Sequence, residues 1–269
     1  MASPVSFALE SEIVFAHVSL MADDPLAPPP AGNPRFRSTR WSVVVAACAK
    51  PGPDADRALA TLCETYWYPL YAYARRHGHD AEAAQDLTQG FFAHLLEKRD
   101  LGAANPARGR FRSYLLGAFV HHIANERGRA AAWKRGGRDT VLSLDLPAAE
   151  ERYCREPADN RTPEKLYERR WALALLDAVQ RRLRAEQAAA GRTAQFDTLS
   201  GPALAPDSRD LPYRALAARL GMSETAVKVA VHRLRHRYRD LIREAVADTL
   251  TDAREVDEEV RFLLDALGG

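Results

Sequence analysis

Thr225, Lys228, Val229 and His232 recur at three- and four-residue spacing and so share one face of a helix. A hydroxyl, an ammonium, a small apolar surface and an imidazole suit the edges of base pairs in a DNA major groove. Arg233, Arg235, Arg237, Arg239 and Arg243 follow on the same segment, and guanidinium groups suit phosphate oxygens. Only Glu224 and Asp240 oppose them there. A basic helix that merely solvates itself would carry the same charge, but it would not need the elements that surround this one.

Those elements are legible from Leu211 to Arg243, LPYRALAARLGMSETAVKVAVHRLRHRYRDLIR. The spacing predicts a short helix from Tyr213 to Leu220 with Leu216, Ala217 and Leu220 on one face. Gly221 then supplies a turn, since a residue without Cβ takes positive φ cheaply. Ser223 is the natural N-cap of a second helix. Val227, Val231 and Leu234 turn one stripe of that helix toward the first, and Ala217 is small where the two would cross. This is a helix-turn-helix, whose second helix enters the major groove with its N-terminal residues on base edges.

At 269 residues the chain can hold two modest domains, and 46% hydrophobic with 28% charged residues is ordinary for a soluble globular protein. The formal charge of +2 hides an asymmetry. Eight acids and only Arg254 and Arg261 lie between Glu244 and Gly269, so the rest is correspondingly basic, which suits a polyanion. Cys48, Cys63 and Cys154 are odd in number and far apart, which points to free thiols in a reducing cytoplasm rather than a disulfide frame or zinc site. No apolar stretch approaches a membrane span, and the first basic residue is Arg35, so neither a membrane partner nor a secretory signal is expected.

Helical signals dominate and no period-two run of strand length occurs, so the expected fold class is all-α. Residues 1–35, ending in a proline-rich run, read as a disordered extension. A helical domain over 36–137 follows: a short helix after Thr39, a longer one from Asp54 to His77 with a kink expected at Pro69, another from Asp80 to Glu97, and a third from Phe111 to about Arg135. Residues 138–161 read as a flexible linker. Thr162-Pro163-Glu164 is a strong helix start, opening a second domain over 162–250 with a helix to about Ala190 and a loop, GPALAPDSRDLP, before the helix-turn-helix. Residues 251–269 form an acidic amphipathic tail with Val256, Val260, Leu263, Leu264 and Leu267 in one stripe.

The third helix carries a second basic surface. Arg127, Arg129, Lys134 and Arg135 surround Trp133, and separated strands are gripped by positive charge plus aromatic faces for unstacked bases. Asn125 and Glu126 sit where side chains could meet a base edge, whereas Phe111, Tyr114 and Phe119 read better as plain core. His121-His122 reads as a partly buried pair rather than a metal site. No GxxxxGK[ST] loop, paired carboxylate motif or Ser/His/Asp arrangement occurs, so neither catalysis, a cofactor nor a metal is expected.

In this order the segments resemble the sigma-seventy family of bacterial RNA polymerase factors, specifically the small extracytoplasmic-function (ECF) type. Tyr66 to Leu95, YWYPLYAYARRHGHDAEAAQDLTQGFFAHL, is similar to the helices that bind the polymerase clamp. Phe111 to Gly137 resembles the helices that open and read the minus-ten element, and Leu211 to Leu241 the domain that reads the minus-thirty-five element. The resemblance implies a sigma factor that docks on core RNA polymerase, directs it to promoter DNA and helps melt it. It implies clamp contacts at Asp86, Leu87, Gln89 and Phe92, with Gly90 standing where most relatives carry an acid. It places Asn125, Arg127, Arg129, Trp133, Lys134 and Arg135 at the minus-ten element, and Ser223, Thr225, Lys228, Val229, His232, Arg233 and Arg235 at the minus-thirty-five element.

Such elements lie roughly 65 Å apart along B-form DNA. A linker of some 25 residues reaches about 80 Å when stretched and averages about 25–30 Å as coil, so it must be held extended. The acidic tail either docks as a final helix, the preferred reading, or covers the basic reader as a regulatory segment. An anti-sigma factor is the other regulator that the resemblance allows. The competing function is a stand-alone helix-turn-helix regulator that binds duplex DNA without polymerase.

Overall fold

The computed structural model describes residues 53–98, 110–130, 146–155, 161–204, 212–250 and 252–268. Among them every regular element is helical: α1 Pro53–Arg76, α2 Ala81–Lys98, α3 Phe111–Ala130, α4 Leu146–Arg155, α5 Pro163–Ala189, α6 Thr193–Leu204, α7 Tyr213–Leu220, α8 Glu224–Ala247 and α9 Val256–Gly268, with a 3-10 turn at Ala253–Glu255. The all-α expectation holds at that level. The N-terminal extension and the helix expected after Thr39 lie outside the described residues.

The helix starts follow their caps. The Ala83 N–H donates to Asp80 Oδ1 at 2.8 Å ahead of α2, and the Lys165 N–H to Thr162 Oγ1 at 3.4 Å, with Pro163 as the first residue of α5. α1 continues through Pro69. α6 differs from expectation, because Gly201 and Pro202 lie within the helix rather than in a loop. Propensity is overridden there by burial of Ala203 and Leu204, and by Arg235, whose Nε donates to the Ala203 carbonyl at 2.8 Å. That bond satisfies one of the carbonyls a helix leaves open at its C-terminus.

The chain divides into two compact units. The aromatic unit contains α1 to α4, the start of α5 as far as Trp171, and the 247–255 turn. Its core is built from rings: Phe91 on Phe119 at 5.2 Å, Tyr66 on Phe111 at 5.5 Å and Tyr73 on Phe119 at 6.4 Å, all edge to face. Phe111 and Phe119 are therefore core residues, as the sequence spacing favours, and Tyr114 is half-buried.

The start of α5 completes that core. Leu166, Tyr167 and Trp171 are buried, the Trp171 Nε1–H donates to Tyr66 Oη at 3.1 Å, and the Tyr167 hydroxyl donates to the Arg112 carbonyl at 3.1 Å. The buried Arg112 guanidinium stacks 4.8 Å from the Trp171 ring, and burial with Arg110 nearby lowers its pKa to about 10.

α4 lies inside the range expected to be a flexible linker. It is held mainly by polar contacts to α1. Glu150 accepts from Arg75 Nε at 3.1 Å, from Arg75 Nη2 at 2.7 Å and from the Tyr71 hydroxyl. Burial alone would raise the Glu150 carboxyl, but these bonds outweigh it and hold the group below the usual carboxylate range. Arg152 stacks on Tyr68 at 4.4 Å and Arg75 on Tyr153 at 4.8 Å. Burying a residue the size of Leu or Phe is worth roughly 1.5–3 kcal/mol, whereas a partly exposed ion pair is worth about 1 kcal/mol or less. The start of α5 is accordingly a fixed part of this unit and α4 the more weakly held piece. The boundary expected at 161/162 falls instead within α5, between Trp171 and Ala172.

The helix-turn-helix unit contains α5 from Ala172, α6, α7, α8 to Val246, and α9. Leu176, Val179 and Leu183 of α5 are buried, as are Leu199 of α6 and Val227, Val231, Tyr238 and Leu241 of α8. α9 buries Val256, Val260, Leu263 and Leu267, and Asp257 pairs with Arg243 at 2.6 Å. With α9 in place, Thr225, Lys228, Val229, His232 and Arg233 remain exposed, so the tail is an integral helix and does not cover that face of α8. Leu263→Ala should therefore lower the stability of this unit by about 2–5 kcal/mol in chemical denaturation. A loss under about 1 kcal/mol would mark α9 as a loosely laid flap.

Candidate nucleic-acid interface

α7 and α8 cross at the turn that the residues call for. Gly221 takes φ +63° and ψ 29°, its N–H meets the Ala217 carbonyl, and the Met222 N–H reaches the same oxygen at 3.0 Å. Ser223 Oγ accepts the Ala226 N–H at 3.2 Å and so caps α8. Leu216 and Ala217 are buried, as are Val227, Val231 and Leu234, and that stripe fixes which side of α8 points away.

The outward arc carries Thr225, Lys228, Val229, His232 and Arg233, all exposed, with Val229 at 44%. Ser223 is exposed at its N-terminal end. These six candidates are brought together as expected. Thr225, Val229 and Arg233 also line an open cleft of about 760 Å³ whose far wall includes Gln187 and Arg192. Arg214 and Arg219 of α7 are exposed cations that the sequence reading does not single out.

The other arginines of α8 are not available in the way the charge run suggests. Arg235 is tied to the Ala203 carbonyl, and burial lowers its pKa, so it is a strut between helices and is withdrawn as a DNA contact. Arg237 forms a fork with Glu186, Nε at 2.8 Å and Nη2 at 2.7 Å, and its Nη1 reaches Glu244 at 2.9 Å. The same Glu244 accepts from Arg182 at 2.5 Å. Arg243 belongs to Asp257, and His236 lies 3.2 Å from Asp240. The long basic run is thus divided, its inward half neutralised by acids of α5, α8 and α9.

One aromatic was also missed. Lys228 Nζ sits 5.3 Å from the centroid of the Tyr213 ring, at the start of α7. No local pattern marks Tyr213 for this, because its partner lies fifteen positions further on.

In the aromatic unit the clamp candidates separate. Asp86 is exposed and Leu87 and Gln89 are half-buried along α2, but Phe92 is fully buried, 5.6 Å from Phe91. Six positions beyond Asp86 amount to about 240° of helical rotation, which turns Phe92 into the core and removes it as a surface contact. Gly90 is exposed, and a Cβ there would lie 3.5 Å from His122 Nε2, an ordinary contact, so a side chain would fit.

Asn125 is exposed on α3. Arg127 and Arg129 lie in its final turn, while Trp133, Lys134 and Arg135 lie outside the described residues. Among the described residues no group of three potential metal ligands comes together, and no helix is long and apolar enough to cross a membrane.

The division of charge gives a paired expectation. Arg237→Gln should cost about 1–2 kcal/mol of stability yet leave the salt dependence of DNA binding unchanged. Lys228→Ala should do the reverse, lowering the slope of log affinity against log salt by about one. The bonds from Arg237 hold the Glu186 carboxyl below its ordinary value of 4.5. A depressed carboxyl adds stability above that value and loses it as pH falls through the folded pKa. The difference in urea midpoint between wild type and Arg237→Gln should therefore be full at pH 7 and shrink below about pH 4.5.

No family model matches this chain, and neither a curated protein nor a solved structure is similar to it at a significant level.

Proposed function

We propose that this chain is a sigma-type initiation factor of the ECF class. It binds core RNA polymerase, recognises the minus-ten and minus-thirty-five elements of a promoter and promotes melting. The observation that carries the reading is the outward arc of α8, where exposed Lys228 and Arg233 flank Thr225 and His232 while Arg235, Arg237 and Arg243 are spent inside the fold. A helix that only solvated itself would gain nothing from that division.

Asp86, Leu87 and Gln89 on α2 are the proposed polymerase contacts, and Asn125 with the basic residues after it is the proposed minus-ten surface. Both rest on the family resemblance. The mechanism is differential binding: groups that accept unstacked bases stabilise separated strands and offset a few kcal/mol of unstacking. It requires neither nucleotide hydrolysis nor a cofactor. The proposed location is the cytoplasm, where core polymerase and promoter DNA are found, and an anti-sigma factor is the proposed type of regulator.

One observation keeps the stand-alone regulator as a second reading. Ten of the residues expected to stretch between the two DNA elements form α4. At about 1.5 Å per helical residue and 3.3 Å per extended one, the reach of 138–161 falls to about 60 Å, just short of the roughly 65 Å required. Spanning both elements with an extended 138–161 segment then needs α4 and the start of α5 to leave the aromatic unit, whereas a single-site regulator needs no such release.

Retention of core polymerase on the immobilised full chain, followed by transcription from genomic fragments, separates the two. The sigma reading expects retention and polymerase-dependent start sites. Specific duplex binding with no retention would hand the function to the stand-alone regulator.

A further inference from the structure

We propose that Tyr213 is a positioning residue for DNA reading: its ring holds the Lys228 ammonium in place so that Lys228 meets the duplex already ordered. The inference rests on the DNA-reading function proposed above and assigns a role within it to a residue outside the second helix.

Lys228 and Arg235 are seven positions apart, so they share one stripe of α8 about 10.5 Å apart along its axis. Tyr213, the first residue of α7, lies beside that stripe. Lys228 Nζ is 5.3 Å from its ring centroid, and its phenol is within electrostatic reach of Arg235. Arg235 is itself pinned by the Ala203 carbonyl at 2.8 Å, so its place is set from α6. The ring stands at the head of the short helix that buries Leu216 and Ala217, and Lys228 is its exposed partner.

An exposed lysine samples many rotamers and loses that freedom when it binds. A ring that already attracts the ammonium narrows the ensemble before DNA arrives. It also directs Lys228 to the α7 side of α8, away from the cleft lined by Thr225, Val229 and Arg233. The two flanks of the reading arc then meet different parts of the duplex.

A double-mutant cycle on the full chain tests this, using duplexes of about 30 base pairs that the chain selects from a randomised pool. Lys228→Met should weaken binding about tenfold in the wild-type background but less than about twofold beside Tyr213→Leu. Tyr213→Phe, which keeps the ring, should preserve the full Lys228 effect. If the Tyr213→Leu and Lys228→Met losses simply multiply, the ring only packs and the proposal is overturned. Tyr213→Met serves as the ring-free variant should Tyr213→Leu melt early, with the same expectation. If Lys228→Met has no effect in any background, the DNA-reading function fails on this face and the role of Tyr213 fails with it.

Discussion

The Arg237 guanidinium, shared between Glu186 of α5 and Glu244 of its own helix, is the contact that sorts inward from outward cations in the helix-turn-helix unit. It reinforces the rotation that the buried stripe of Val227, Val231, Leu234, Tyr238 and Leu241 gives a strongly basic helix. Arg237 is 35% exposed, so its ion pairs add a modest increment to that apolar burial. Paired, it ties α8 to α5 in that rotation, and Arg235 on the Ala203 carbonyl and Arg243 on Asp257 support the same rotation at two other heights. Lys228, His232 and Arg233 are outward because the apolar stripe is inward, and these three arginines tie it there.

The local grammar of this unit is legible in the residues. The bounds of α7, the left-handed Gly221, the Ser223 cap and the buried stripe of Val227, Val231 and Leu234 all follow from spacing and side-chain type, since each is a contact within a few positions. What spacing cannot supply is the partner of a charge. Glu186 lies 51 positions before Arg237, and Arg235 finds a main-chain oxygen that no residue type announces. A charge run therefore overstates the cations available for phosphate. Phe92 illustrates a different loss: a motif matched along the chain includes both faces of α2, and only rotation about the helix separates Asp86 on the surface from Phe92 in the core.

The middle of the chain was the least legible. Residues around α4 are charged and rich in breakers on either side, with VLSLDL as a short apolar patch, which is how a linker reads. The helix exists because Glu150 finds Arg75 and Tyr71, 75 and 79 positions away. α6 is the mirror case, a Gly-Pro pair tolerated because Ala203 and Leu204 are buried beyond it. In both places a tertiary contact outweighs a local preference of about 1 kcal/mol or more.

The docking of Leu166, Tyr167 and Trp171 onto Tyr66, Tyr73 and Phe111 also bears on how this protein can be taken apart. A gene cut at the apparent seam near residue 137 or 161 would leave the N-terminal piece without its closing wedge, baring a ring-lined surface to water. Its C-terminal counterpart would carry an orphaned indole and phenol at the head of a helix newly open to water. Recombination that swaps one half for a relative's would need to trade the opening turns of α5 along with the half they seal, so the heritable module is longer than the motif that advertises it.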